Sequence, residues 1–160
     1  KNTKLISDYL VSFAKEQGLR YIQDESNNVI LFQEGTCGLE NHPAVVLQGH
    51  MDMVCEKDED CPIDMDKDGL DVTHDGECVF ARGTTLGGDD GIAVAYALAL
   101  LADRNIPHPP LEVIITVDEE IGMLGADVID LSMLKGRTLI NIDSEEEGVL
   151  TVSCAGGISN

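Results

Sequence analysis

Asp118, Glu119 and Glu120 stand side by side at the end of the apolar, largely β-branched run LEVIITV. Such a run reads as a buried strand, and the strand delivers three carboxylates to one spot. Neighbouring carboxylates repel each other, so they need a cation, a shared proton or open water. Two further strand-like runs also end in acids: AVVLQG leads into His50, Met51 and Asp52, and RTLI leads into Asn141, Ile142 and Asp143. In open α/β sheets ligands bind at the carboxyl ends of the strands. A metal site is the first reading of these residues.

The spacing of each group refines the chemistry. Residues i and i+2 of a strand point the same way, so Asp52 can reach the ring of His50 and fix its tautomer while the other nitrogen binds metal. Alone, a His-x-Asp is an ordinary strand-end histidine; here it has acidic company. GGDDG precedes an apolar helical stretch, and a helix start accounts for one aspartate, Asp89 or Asp90, as a cap. The other is free to act as a ligand, and a carboxylate can bridge two ions about 3.5 to 4 Å apart. Glu119 and Glu120 are adjacent, so their side chains diverge, and one can hold metal while the other holds water. Zinc lowers the pKa of bound water to roughly 7, and a nearby carboxylate then takes and returns the proton. Asp143 completes the set, while Glu145, Glu146 and Glu147 beyond it read as surface. His42, His74 and His108 read as loop histidines. Asp64, Asp66, Asp68, Gly69 and Asp75 match part of a calcium loop, but Asp71 sits at an apolar position and no amphipathic helix flanks the motif, so a solvated acidic turn is the better reading.

The positioning elements follow from periodicity. Leu5, Ile6, Tyr9, Leu10 and Phe13 recur at helical spacing between Thr3, a plausible cap, and Gly18, a stop. Strands are expected at 28–33 and 45–48, with a loop over 35–43 between them. A loop with one or two short strands is expected over 56–82, and a helix apolar on every side over 92–103. Then come the strand from Leu111, a short helix within 122–134, a strand over 137–142 and a last one over 148–153. Strands alternating with helices indicate an α/β fold with a largely parallel sheet and helices on both faces.

Composition narrows the partners. With 30 acids against 10 bases the formal charge is −20, which argues against nucleic acid and anionic membranes. Five cysteines, 37, 55, 61, 78 and 154, form neither a CxxC pair nor zinc-finger spacing, and reduced thiols in a cytoplasmic protein fit them. The longest apolar segment, Ile92 to Ala102, is much shorter than a bilayer requires. A start without methionine and an end just past a strand-like segment suggest a fragment.

HMDMV, GTTLGGDDGIAVA, TVDEEIGMLGA and NIDSEEEG, in this order over nearly the whole chain, resemble the dinuclear zinc peptidases that include carboxypeptidase G and peptidase T, and most closely their aminoacyl-histidine dipeptidase branch. The resemblance implies His50 as a ligand of a first zinc, Asp52 as its orienting partner and Asp89 as the bridging ligand, with a cis peptide bond after it. It implies Glu119 as general base, Glu120 as ligand of a second zinc and Asp143 of the first. The implied reaction is hydrolysis of dipeptides, Xaa-His or a broader set, with zinc, or cobalt or manganese in its place. Two alternatives on the same residues are an N-acyl amino acid amidohydrolase and a non-catalytic metal-binding module. Members of the family carry an inserted lid domain that mediates dimerisation, then a further catalytic segment that supplies a histidine to the second zinc. Residues 1–160 therefore read as the N-terminal segment of the catalytic domain, inactive by itself, from a protein that is a homodimer when complete.

Overall fold

Ser7, Leu10, Val11 and Ala14 fall at i, i+3, i+4 and i+7, the spacing of one helical face. They form the buried stripe of α1 (Lys4–Gln17) in a computed structural model of the chain, which describes residues 3–144 and 148–152. Leu5 and Tyr9, expected on the apolar face, are exposed instead. The stripe is turned toward the sheet by about one position, where Ser7 Oγ donates to the Asn27 carbonyl at 2.8 Å. Gly18 ends the helix in the left-handed region at φ 68°, its N–H returning to the last turn, a conformation that costs glycine least.

Five strands form the main sheet in the order β1-β2-β6-β3-β7: β1 (Arg20–Gln23), β2 (Val29–Gln33), β6 (Leu111–Thr116), β3 (Val45–His50) and β7 (Thr138–Asn141). β3 runs parallel to both β6 and β7, while β1 and β2 are antiparallel additions on the other side. The chain is thus an α/β domain with a mixed sheet whose parallel block carries the acid-bearing strand ends. β1 is the strand that periodicity does not announce, since RYIQ is too short for a pattern; it exists through its pairing with β2. Between β3 and β6 the chain makes a small hairpin, β4 (Val72–His74) and β5 (Val79–Ala81), and then α2 (Gly88–Ala102). Such a long excursion is what parallel pairing of β3 with β6 requires.

Leu10, Val11 and Ala14 of α1 and Ala97 and Leu101 of α2 share one buried cluster with Val29, Leu31, Leu47, Leu111, Val113 and Ile115. Both long helices therefore lie on the same face of the sheet. On the other face, the buried Glu112 accepts the N–H groups of Lys135 and Gly136 and pins the segment entering β7. The expected all-round apolar burial of the 92–103 helix is not what the fold does. Only the stripe of Ala93, Ala97 and Leu101 is buried, and Ile92 and Tyr96 face outward, because one layer of sheet covers one side of a helix. The expected strand over 148–153 is absent at 148–152, where Leu150 and Val152 are almost fully exposed; no neighbouring strand among the described residues accepts its backbone there. Ser153 lies outside the described residues, as do Cys154 and the run Glu145 to Glu147. A short α3 (Leu124–Val128) follows β6.

α2 reaches the sheet through Gly49. A Cβ there would lie 2.6 Å from Asp90 Oδ2 and 2.7 Å from Ala93 Cβ, so the bare backbone lets the helix start sit on the end of β3. Gly49→Ala is expected to destabilise the fold by about 1–3 kcal/mol, the usual range for overpacking, measured by urea denaturation. A midpoint equal to the parent's would mean that the helix start yields freely.

Candidate metal centre

β3 ends at His50, whose side chain is 1% exposed. Its main-chain N–H donates to Asp90 Oδ2 at 3.2 Å. Ring Nδ1 lies 3.0 Å from the Asp52 carbonyl and 3.4 Å from Asp52 Oδ1. Donation from Nδ1–H to that carbonyl leaves Nε2 to face outward, toward Asp89 Oδ1 at 3.0 Å and Glu119 Oε2 at 4.0 Å. The carboxylate of Asp52 is engaged elsewhere as well: Oδ1 and Oδ2 accept the N–H groups of Glu119 and Glu120, each at 3.2 Å. One side chain thus joins the end of β3 to the loop after β6.

Within the helix start, Asp89 (φ −86°, ψ 109°) and Asp90 (φ −116°, ψ 33°) leave helical angles, and the bond between them is cis, as the resemblance implies. The two side chains part: Asp90 is buried beneath His50 and Asp89 is exposed beside its ring. Ligand atoms of His50, Asp89 and Glu120 all lie within 4.8 Å of one another. Two metal–ligand bonds of about 2.1 Å span at most about 4.2 Å, so a small closure suffices for one ion. Imidazole with carboxylates is also the donor set that suits zinc and its neighbours. Asp143 comes close enough to Asp89 for the two carboxylates to repel each other. The geometry groups His50 with Asp89 and Glu120, and the charge of Asp143 acts on His50, Asp90 and Glu119.

The electrostatics are those of crowded acids. Burial would hold the His50 ring below its ordinary value, but the hydrogen bond to Asp89 and the charges of Asp52, Asp90 and Asp143 outweigh it and push the ring up. Burial raises the Asp90 carboxyl to about 6 despite the His50 N–H beside it. Glu119 is raised by burial and by its neighbours Asp143, Glu120 and Asp52, and Asp143 by burial and by Asp89. A cation placed among these groups would relieve the repulsion between the acids.

Other acids and histidines stay outside the cluster. Asp64 is tied to Lys67 and to the N–H of Asp66, and Asp75 accepts Glu77 and Cys78 N–H groups at the β4–β5 turn. Each carboxylate serves its own turn, as expected of a solvated acidic loop. His42 and His74 lie elsewhere, while His108 is buried, with Nδ1 2.7 Å from the Pro109 carbonyl. Cys37, Cys55, Cys61 and Cys78 are free thiols. Sequence reading misses Asn28, a buried amide bonded to Val117 and Gly125 at either end of the Glu119–Glu120 loop. Partners 89 and 97 residues away leave no local signal.

A histidine and several acids gathered at the carboxyl ends of parallel strands define an α/β domain of the metallohydrolase kind. The chain belongs to peptidase family M20/M25/M40, whose model matches residues 46–152. It is 48% identical over 153 residues to the cytosol non-specific dipeptidase of Escherichia coli (strain K12), an alignment covering 96% of this chain and 32% of that protein. The crystal structure of an aminoacylhistidine dipeptidase from Vibrio alginolyticus superposes with a TM-score of 0.88 at 46% identity, over 92% of this chain and 30% of that one. A tripeptidase from Staphylococcus aureus superposes with a TM-score of 0.73 at 25% identity, over 91% and 39%. The chain spans about a third of the length of the curated relatives it matches first.

At the site, His50, Asp90, Glu119 and Asp143 are all shifted upward in the metal-free protein. Asp90 goes from 3.8 up to about 6, so the folded chain keeps a proton that the unfolded chain has already released. Stability from this group is present below about pH 4 and lost as pH rises through about 6. His50, also raised, loses its share as pH rises through a value above 6.5. Thermal midpoints of the metal-free protein should therefore fall between about pH 4 and pH 8, and Asp90→Asn should flatten the lower part of that curve. A variant curve parallel to the parent's would show that Asp90 does not titrate in this window.

Proposed function

We propose that the complete protein hydrolyses dipeptides, Xaa-His or a broader set, at a dinuclear zinc centre with Glu119 as the general base. The observation that carries this reading is the convergence of His50, Asp89 and Glu120 with a second glutamate beside them, 4.0 Å from the ring nitrogen. The dipeptidase names of the Escherichia coli and Vibrio alginolyticus relatives support the substrate class. His50, Asp89, Glu120 and Asp143 would hold the metal, with Asp89 shared between two ions. Zinc, when bound, polarises the peptide carbonyl and lowers the pKa of water to about 7.

The chain's own residues handle the proton. Glu119 is partly exposed and its carboxyl is raised, which brings its proton affinity toward that needed to take a proton from water and return it to the leaving amine. Asp52 fixes the site from behind: its carbonyl holds Nδ1–H of His50 while its carboxylate holds the backbone of both glutamates. The ring therefore presents Nε2 and the glutamates present their carboxylates. Residues 1–160 form the N-terminal segment of the catalytic metallopeptidase domain on this reading. The remaining ligand of the second ion and the lid through which the homodimer forms lie elsewhere in a cytoplasmic protein. No helix among the described residues is long and apolar enough to cross a membrane.

In the full-length enzyme, Glu119→Gln should lower dipeptide turnover by about 10²- to 10⁴-fold with zinc content close to normal, whereas Glu120→Ala should lose zinc. Elemental analysis beside a hydrolysis assay decides; zinc lost from the Glu119 variant but not from the Glu120 variant reverses the two roles. Asp52→Asn should fold normally and weaken zinc binding about 10- to 100-fold, and an unchanged titration would remove Asp52 from the site.

A further inference from the structure

Glu119 and Glu120 sit on a loop that runs from Val117 to Gly125, and its two ends meet. Gly125 N–H donates to the Val117 carbonyl at 3.1 Å. Asn28, 1% exposed, spans this junction: its Oδ1 accepts Val117 N–H at 3.0 Å and its Nδ2 donates to the Gly125 carbonyl at 3.0 Å. The second amide hydrogen goes to Asp24 Oδ2 at 2.7 Å. Three of the amide's four hydrogen-bonding positions are filled, both N–H donors among them, and these bonds fix its orientation. Gly125 leaves the room, since a Cβ there would stand 2.4 Å from the Val117 carbonyl oxygen and 2.5 Å from Asn28 Oδ1.

Inside the loop the backbone is unusual. Asp118 and Met123 hold φ of 55° and 57°, and Gly122 holds 115°. Non-glycine residues in the left-handed region persist where the surroundings over-determine them. The Glu119 carbonyl accepts Gly122 and Met123 N–H groups, and the Asp118 carbonyl accepts Leu124 N–H. These bonds are internal to the loop and travel with it. Two side chains anchor the loop to the rest of the fold: Asp52 at the site and Asn28 behind it.

We infer that Asn28 is a positioning residue for the metal centre, an amide clamp that closes the loop at its root so that Glu119 and Glu120 meet Asp52 and point into the cluster. Asn28 touches neither metal ligand nor substrate; it acts through the Val117–Gly125 junction. The clamp is itself rooted in the turn before β2, where Asp24 Oδ1 accepts the N–H groups of Ser26 and Asn28. Metal binding by Glu120 is therefore coupled to the β1–β2 hairpin, a part of the sheet that contributes no ligand. The consequence for zinc rests on the metal reading above; the consequence for the loop does not.

The test compares Asn28→Ala, the milder Asn28→Ser and the control Leu10→Ala, which loosens the core behind α1, with the parent in the full-length protein. Zinc is titrated calorimetrically, and amide exchange is followed at Glu119 and Glu120 in metal-free protein. Asn28→Ala is expected to weaken zinc binding about tenfold, the lower end of what residues supporting a ligand cost, and to speed exchange at both glutamates. Asn28→Ser should do the same to a smaller degree, and Leu10→Ala should leave affinity and exchange at the parent's values. Unchanged affinity and exchange in both Asn28 variants overturn the inference, and so do equal losses in Leu10→Ala, which would reduce Asn28 to general stability. A parent that binds no zinc overturns the metal reading, and the exchange measurement then decides the clamp by itself.

Discussion

Like-charge repulsion at the carboxyl end of the sheet is the constraint on which the rest of this structure depends. Asp52, Asp89, Asp90, Glu119, Glu120 and Asp143 are drawn to one region around a single buried imidazole, a congregation that water would ordinarily disperse. The fold handles it by dividing the acids. Asp52 and Asp90, set deep, are each met by aimed backbone donors: Glu119 and Glu120 N–H for the first, His50 N–H for the second. Asp89, Glu119, Glu120 and Asp143 keep their oxygens for the open side. Interior acids organise the backbone so that the outer ones are free for a cation.

Strand register brings the groups level. β3 and β6 pair with His50 opposite Thr116, so the chain two residues past His50 meets the chain three and four residues past Thr116. That offset is what lets the Asp52 carboxylate receive two successive N–H groups. β3 and β7 pair with Gln48 opposite Asn141, which carries Asp143 to the level of His50. A shift of one residue in either pairing would turn these side chains to the wrong face. Register is in turn held by the buried alternation of Leu47, Val113 and Ile115 under the two helices, so the hydrophobic core sets the spacing of the polar site.

Close backbone approach is the second device. Gly49 admits the start of α2, and Gly125 lets the loop after β6 return to its own root. At both places a methyl group would collide with the polar atoms that organise the site. Outside this region the chain is plainer: β7 pairs only with β3 among the described residues and leaves Leu139 and Ile140 exposed, and α2 turns Ile92 and Tyr96 outward. The precision is concentrated where the carboxylates are.

The sequence by itself determined the candidate residues. Apolar β-branched runs announce β2, β3, β6 and β7, and acids at the ends of three of them announce the site, because strand periodicity and strand-end chemistry are local properties. The α/β class, the stop at Gly18 and the candidates His50, Asp52, Glu119, Glu120 and Asp143 were legible for that reason, whereas GGDDG offered Asp89 or Asp90 and the family resemblance implied Asp89. Tertiary structure decided the rest. It made β1 a strand, set β2 antiparallel to β6, left one side of α2 uncovered and formed no strand over 148–152. It also gave the Asp52 carboxylate to the backbone of Glu119 and Glu120 while the carbonyl of the same residue holds the ring. Asn28 is the clearest case: a lone asparagine before a strand says nothing, and only chain closure over 89 and 97 residues gives its amide the two partners that matter. Local pattern names the donors and acceptors of this site, and long-range packing chooses which of them meet.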